Sequence, residues 1–103
     1  MAKYLFVYIG GDEPTTEDEG KAVMEAWTSW FAGMGEAAAD PGNPTGASAA
    51  VAPDGSVGAA TSAVSGYSVI AAESLDAAVA IAQGCPHLAA NGRIEVLETF
   101  DVM

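Results

Sequence analysis

The segment from residue 66 to 98 constrains the fold most, because the spacing of its apolar residues changes twice. Tyr67 and Val69 alternate with Ser68 in a run of β-favouring residues, which predicts a strand. Apolar residues then recur at spacings of three and four, which predicts a helix with one apolar face: Leu75, Ala78, Ile81, Ala82 and Cys85. Ile94 and Val96 alternate again. The segment is therefore predicted to be a strand–helix–turn–strand unit.

Short polar and special residues mark the boundaries inside this unit. Ser74 is positioned to cap the helix, and Asp76 lies in its first turn, where the helix dipole favours negative charge. Gly84 is predicted to take the left-handed conformation that ends a helix. Pro86 then begins one short helical turn over residues 87–90, and Asn91 and Gly92 close it.

The first strand, residues 4–9, is apolar on both faces. Alternation places its residues on two opposite sides: Tyr4, Phe6 and Tyr8 on one, Leu5, Val7 and Ile9 on the other. A strand with water on one side carries polar residues at alternate positions, so we expect both sides of this strand to be covered. Helices can cover one side. A second copy of the chain, in a two-fold dimer, is expected to cover the other.

A first helix and a weak hairpin complete the predicted order. Thr16 and Glu19 match a capping box, and a heavy apolar stripe follows before Gly35 ends the helix: Val23, Trp27, Trp30, Phe31 and Met34. Residues 40–44 are expected to form a turn, and 47–52 and 56–60 two short strands around the turn at 53–55. The order β-α-β-β-α-β predicts a ferredoxin-like α+β sandwich over residues 1–103, with two helices on one face of an antiparallel sheet.

Charge and composition exclude several classes of function. The chain of 103 residues has 3 Lys and Arg against 14 Asp and Glu, a formal net charge of -11. Nucleic acids and anionic membranes would repel such a surface. No apolar run approaches the roughly 20 residues of a membrane span. The single cysteine and the lack of a leader-like start favour a reducing, cytoplasmic location.

No cofactor or metal is expected from the motifs. One His and one Cys cannot supply a closed zinc shell. Gly10 and Gly11 lack the third glycine of a dinucleotide-binding fingerprint. Cys85, without a basic neighbour in sequence, is expected to be a small buried hydrophobe.

The chain resembles the YCII-related family, including its DGPF-type branch. The resemblance is carried by the KYLFVYIGG strand, the Trp-rich first helix and the segment GYSVIAAESLDAAVAIAQGCPHLAANGRIEV. It implies a homodimeric α+β barrel similar to small monooxygenases and muconolactone isomerases, in a family whose biochemical role is mostly unassigned. The His that one branch carries on the first helix has no counterpart in residues 23–27. The Asp-Gly-Pro-Phe motif of the other branch is replaced by TSAVS at 61–65.

Three classes of function stay open. The first is an uncharacterised YCII-related protein that forms a sheet-to-sheet homodimer. The second is a cofactor-free enzyme that isomerises or eliminates on a small aromatic or enolic molecule, with His87 and Asp40 as acid and base. The third is a dimeric ligand-binding or adaptor module that uses Trp27, Tyr67 and Asn43. The simpler alternatives are a solvated His87 on a surface turn, turn-forming roles for Asp40 and Asn43, and aromatic residues that only pack.

Overall fold

The protein is an α+β structure built on a four-stranded antiparallel sheet; the computed structural model describes residues 1–102. In chain order the elements are β1 (Ala2–Gly10), α1 (Glu17–Met34), one 3₁₀ turn (Gly35–Ala37), β2 (Asp40–Pro44), β3 (Ala50–Val51), β4 (Val57–Gly58), β5 (Val64–Ala72), α2 (Leu75–Ala82), α3 (Pro86–Ala89) and β6 (Gly92–Glu98). The sheet order is β2-β5-β1-β6, while β3 and β4 pair only with each other.

The core lies between one face of this sheet and the helices. Tyr4, Phe6 and Tyr8 of β1 are buried on this face, together with Ile70 of β5. Ala78 of α2 is also fully buried, since its small side chain lets the helix approach the sheet closely. The large side chains of α1 pack against this cluster while staying partly exposed: Trp27, Trp30, Phe31 and Met34. The predicted apolar stripes of both helices therefore face the sheet, except at Val23 and Leu75, which are exposed.

The opposite face of the sheet is apolar and stays open in the single chain. Leu5, Val7 and Ile9 of β1 lie on it at intermediate burial. The register places Val69 beside Leu5 and Tyr67 beside Val7, so β5 contributes to the same surface. The first strand thus has two apolar faces, as predicted, and the chain itself buries only one of them.

The predicted helix starts are confirmed by their hydrogen bonds. Thr16 Oγ1 accepts from the Glu19 backbone N–H at 3.1 Å, and the Glu19 carboxylate accepts from the Thr15 N–H at 2.7 Å. These bonds to Thr15 lower the pKa of Glu19 below its ordinary value. Ser74 Oγ caps α2 by accepting from the Ala77 N–H at 3.1 Å. Gly35 ends α1 with φ 59°, as expected.

The expected turn at 40–44 is wrong, because these residues form the edge strand β2. Pro41 and Pro44 lack an N–H group, which an edge strand tolerates because one of its sides has no partner. The register against β5 shifts between Asp40 and Asn43. Gly42 lies at this irregularity with φ 73°, and a Cβ there would overlap the Tyr67 backbone.

The hairpin exists, but its strands are shorter than expected and do not join the main sheet. Only Ala50–Val51 and Val57–Gly58 pair. The turn between them is as predicted: Gly55 has φ 89°, and its N–H donates to Ala52 O at 2.8 Å. Side chains here stay exposed, with Val57 72% accessible.

Two further details differ at the end of the chain. Gly84 does not take the left-handed conformation; α2 ends at Ala82, and Asn91, with φ 62°, makes the turn into β6. The last strand, β6, ends at Glu98. Thr99 still donates from its N–H and its hydroxyl to Lys3 O, whereas Met103 lies outside the described residues.

Candidate functional site

His87 is buried, with 8% of its surface exposed, so the expectation of a solvated surface histidine is wrong. It lies on α3, the single helical turn that Pro86 begins. Its Nε2 is 3.0 Å from the Ile9 carbonyl oxygen. Because a carbonyl can only accept, Nε2 carries the hydrogen, and Nδ1 is the acceptor of the neutral ring.

Two glycines distant in sequence make room for the His87 ring. A Cβ on Gly92, at the start of β6, would overlap the imidazole. A Cβ on Gly11 would lie 2.6 Å from His87 Cε1, and Gly11 has φ 97° besides. The sequence shows these glycines only as turn residues, which is why it does not reveal that His87 is buried.

An aromatic cluster surrounds His87 beneath α1. The Tyr8 ring is 5.4 Å from the His87 ring and 5.1 Å from Trp27, the latter in an edge-to-face arrangement. Phe31 lies 5.8 Å from Trp27 along the same helix. Edge-to-face pairs of this kind fix ring orientations, so Trp27 is held as a wall rather than a loose surface side chain.

A cavity of about 330 Å³ opens beside this wall, between α1 and the β2–β5 side of the sheet. Four of the five sequence-predicted site residues line it: Trp27, Tyr67, Asn43 and His87. The helix contributes Val23, Met24 and Phe31. Its size suits a small organic ligand.

Asn43 and Tyr67 contact the cavity at its rim. Tyr67 lies between Gly66 and Ser68, which are buried toward the helices, so alternation points its side chain to the open face of the sheet. There Asn43 Nδ2 is 3.5 Å from Tyr67 Oη. The two residues are therefore neighbours across the β2–β5 pair, but their side-chain contact lies on the open face of the sheet and not on the helix side, where the cavity opens.

Asp40 is the one candidate that lies elsewhere. Its Oδ1 accepts from the Gly42 N–H at 2.8 Å, within its own strand. It does not line the cavity, and among residues 1–102 no hydrogen bond joins it to His87. The pairing of Asp40 with His87 as acid and base thus stays a prediction without a contact.

A buried hydroxyl pair forms the floor of the cavity, and the sequence does not single it out. Tyr8 Oη donates to Ser68 Oγ at 2.8 Å, and Ser68 Oγ donates to the Pro41 carbonyl at 2.6 Å. Burial raises the pKa of Tyr8 far above its ordinary value, although the bond to Ser68 opposes this. Tyr8 therefore keeps its proton at neutral pH. The only signal in the sequence is a serine at an inward-facing strand position.

Cys85 is buried beside this site, as expected of a small hydrophobe. Burial raises the pKa of its thiol to about 11. The thiolate, which is the nucleophile, is therefore scarce near neutral pH.

A second, wider cleft lies on the other side of His87 and Trp27. Its rim is acidic, with Asp12, Glu13 and Glu19. Asp12 Oδ2 accepts from Asn91 Nδ2 at 2.6 Å, which ties the loop after β1 to the end of α3. The neutral cavity thus has an acidic neighbour.

Two further observations concern the helices of the chain and its similarity to other proteins. Within residues 1–102, no helix has the length and apolar character needed to cross a membrane. Comparisons with protein-family models, curated proteins and solved structures found no match to this chain.

Proposed function

We propose that this chain is a YCII-related homodimeric protein that binds a small aromatic molecule in the cavity beneath α1. The strand order β2-β5-β1-β6 supports the ferredoxin-like arrangement, with β3 and β4 as an excursion between two neighbouring strands. The family relationship itself rests on the sequence resemblance.

The shape of the chain supports association through the open face of the sheet. Its shortest dimension is 18 Å, which corresponds to one sheet and one layer of helices. Its radius of gyration is 15.1 Å. A compact chain of this length has a radius of gyration of about 13 Å. Burial of Leu5, Val7 and Val69 against a second copy would add to the core, which is small in a chain of this size.

The observation that carries the binding function is the half-open cavity with its fixed aromatic wall. Trp27 and Phe31 present flat apolar surface, which contributes most to binding a small ligand. Met24 lies at the same cavity, and its flexible side chain adapts to different shapes.

Binding explains these contacts better than acid–base catalysis does. His87 Nε2 is held by a backbone carbonyl, and no carboxylate of residues 1–102 hydrogen-bonds the ring. The Tyr8 hydroxyl is committed to Ser68. A general acid or base needs an oriented partner and a pKa near the working pH. Burial raises the pKa of the Tyr8 hydroxyl and of the Cys85 thiol well above neutral pH, so neither group meets the second condition.

The experiment is a thermal-shift and calorimetric screen with uncharged one- and two-ring aromatic compounds. Val23→Trp adds a large side chain at the cavity, whereas Val79→Trp makes the same change on α2. Both valines are 38% exposed, but only Val23 lines the cavity. We expect at least one compound to raise the melting temperature of the wild type and of Val79→Trp, and to leave Val23→Trp unchanged.

A screen in which no compound stabilises the wild type would contradict the binding function. Equal stabilisation of both tryptophan variants would place binding outside the cavity and would contradict it as well.

A cofactor-free acid–base enzyme is the second candidate. One observation favours it: the anchored Nε2–H leaves Nδ1 of His87 as a free acceptor in the neutral ring. Turnover of an enolisable ligand found in the screen, abolished by His87→Gln while binding persists, would establish this candidate over the simple binding module.

A further inference from the structure

We infer that the cavity selects uncharged aromatic ligands and excludes aromatic carboxylates of the same size. This inference rests on the proposed binding function and names its ligand class. It follows from the charge and the hydrogen bonds of the cavity wall.

Among residues 1–102, no carboxylate, ammonium or guanidinium side chain lines the cavity. The chain has only three such cations, Lys3, Lys21 and Arg93, and none of them lines the cavity. Arg93 lies 3.5 Å from Glu95 on β6 instead. A carboxylate buried here would lose its water and gain no counter-ion, which is strongly unfavourable.

Three hydrogen-bond donors at the floor of the cavity are already used. Ser68 donates to Pro41 O, Tyr8 donates to Ser68, and Nε2 of His87 donates to Ile9 O. Hydrogen bonds donated to a carboxylate stabilise its charged form in a protein. The wall therefore offers an anion neither charge nor free donors from these three side chains.

The neighbouring cleft adds repulsion from outside. Asp12, Glu13 and Glu19 line it, and it shares Val23, Trp27 and His87 with the cavity. In a chain of net charge -11, an anionic ligand approaches against this field, whereas an uncharged ligand does not.

The test compares 2-naphthol with 2-naphthoate, which share a ring system and differ in charge at pH 7. We expect 2-naphthol to bind at least tenfold more tightly by calorimetry. Raising the salt to 0.5 M screens the acidic cleft but not the desolvation of the ligand, so most of the selectivity is expected to persist. Equal or tighter binding of 2-naphthoate would overturn the inference, and so would selectivity that disappears in salt.

A pair of variants that each add one positive charge, at the cavity or away from it, provides a second test. Met24→Arg places a guanidinium at the cavity, and Val79→Arg adds the same charge on α2. We expect Met24→Arg to improve 2-naphthoate binding at least tenfold and Val79→Arg to leave it unchanged. Should neither naphthalene compound bind the wild type, and no other uncharged aromatic compound either, the proposed function itself fails. Binding of both with equal affinity overturns only the ligand class.

Discussion

His87 fits in the interior because two residues beside its ring have no side chain. Gly11 lies far before His87 in the sequence, in the loop after β1, and Gly92 lies shortly after it, at the start of β6. Local residue roles could be predicted where they depend on near neighbours: the caps Thr16 and Ser74, and the buried Cys85, are confirmed. The burial of His87 could not, since it depends on glycines brought together only by the tertiary fold.

Gly92→Ala tests this fit. The added methyl group would overlap the imidazole, so the ring or β6 must move, and the variant is expected to lose about 1–3 kcal/mol of unfolding free energy in urea. Gly84→Ala is the control, because a Cβ there has its nearest neighbour at 3.7 Å. We expect it to change stability by less than about 1 kcal/mol. The combination Gly92→Ala with His87→Ala should recover part of the loss. Equal destabilisation by both single glycine substitutions would show that the ring is not the obstacle.

At the scale of elements, β2 is the part that the sequence describes least well. The letters DPGNP have the composition of a turn, and no local propensity favours a strand there. Pairing with β5 and the hydrogen bond from Ser68 Oγ to Pro41 O hold the segment extended. The long periodic elements β1, α1 and α2 could be predicted, because their apolar spacing reflects the face that they bury.

Ser68→Ala is expected to loosen β2 and the cavity floor together. The change leaves Pro41 O without a donor and the buried Tyr8 hydroxyl without an acceptor, which costs about 1–3 kcal/mol in urea unfolding. Ser62→Ala, at an exposed serine outside the helices and strands, should stay within about 0.5 kcal/mol of the wild type. Amide hydrogen exchange should quicken in β2 of Ser68→Ala more than in β6. Unchanged exchange in β2 would mean that backbone pairing alone holds the strand.

At the scale of the whole molecule, the sheet has one face packed and one face open. Alternation in β1 predicts that both faces of the sheet are apolar, but it does not predict which of them the helices cover. The cavity could not be predicted, because it forms only where β2, α1 and α3 come together in the fold. In the sequence, β2 has the composition of a turn and the α1 residues have the pattern of ordinary core packing. Four of the five candidate residues nevertheless line it: Trp27, Asn43, Tyr67 and His87.

The open face predicts that the protein sediments as a dimer at micromolar concentration. Val7 lies at its centre, half-buried and flanked by Tyr67 and Glu95 on the neighbouring strands. Val7→Lys would bury a charge between two packed sheets, where ion desolvation costs several kcal/mol, so this variant should sediment as a monomer. Val79→Lys makes the same change on α2 and should remain dimeric.

A wild type that sediments only as monomer would contradict the proposed assembly. Monomerisation by both variants would instead indicate general destabilisation, which circular dichroism of each variant would reveal. Because the cavity lies on the helix side of the sheet, monomeric Val7→Lys should still bind the ligand of the wild type, which separates the assembly from the binding site.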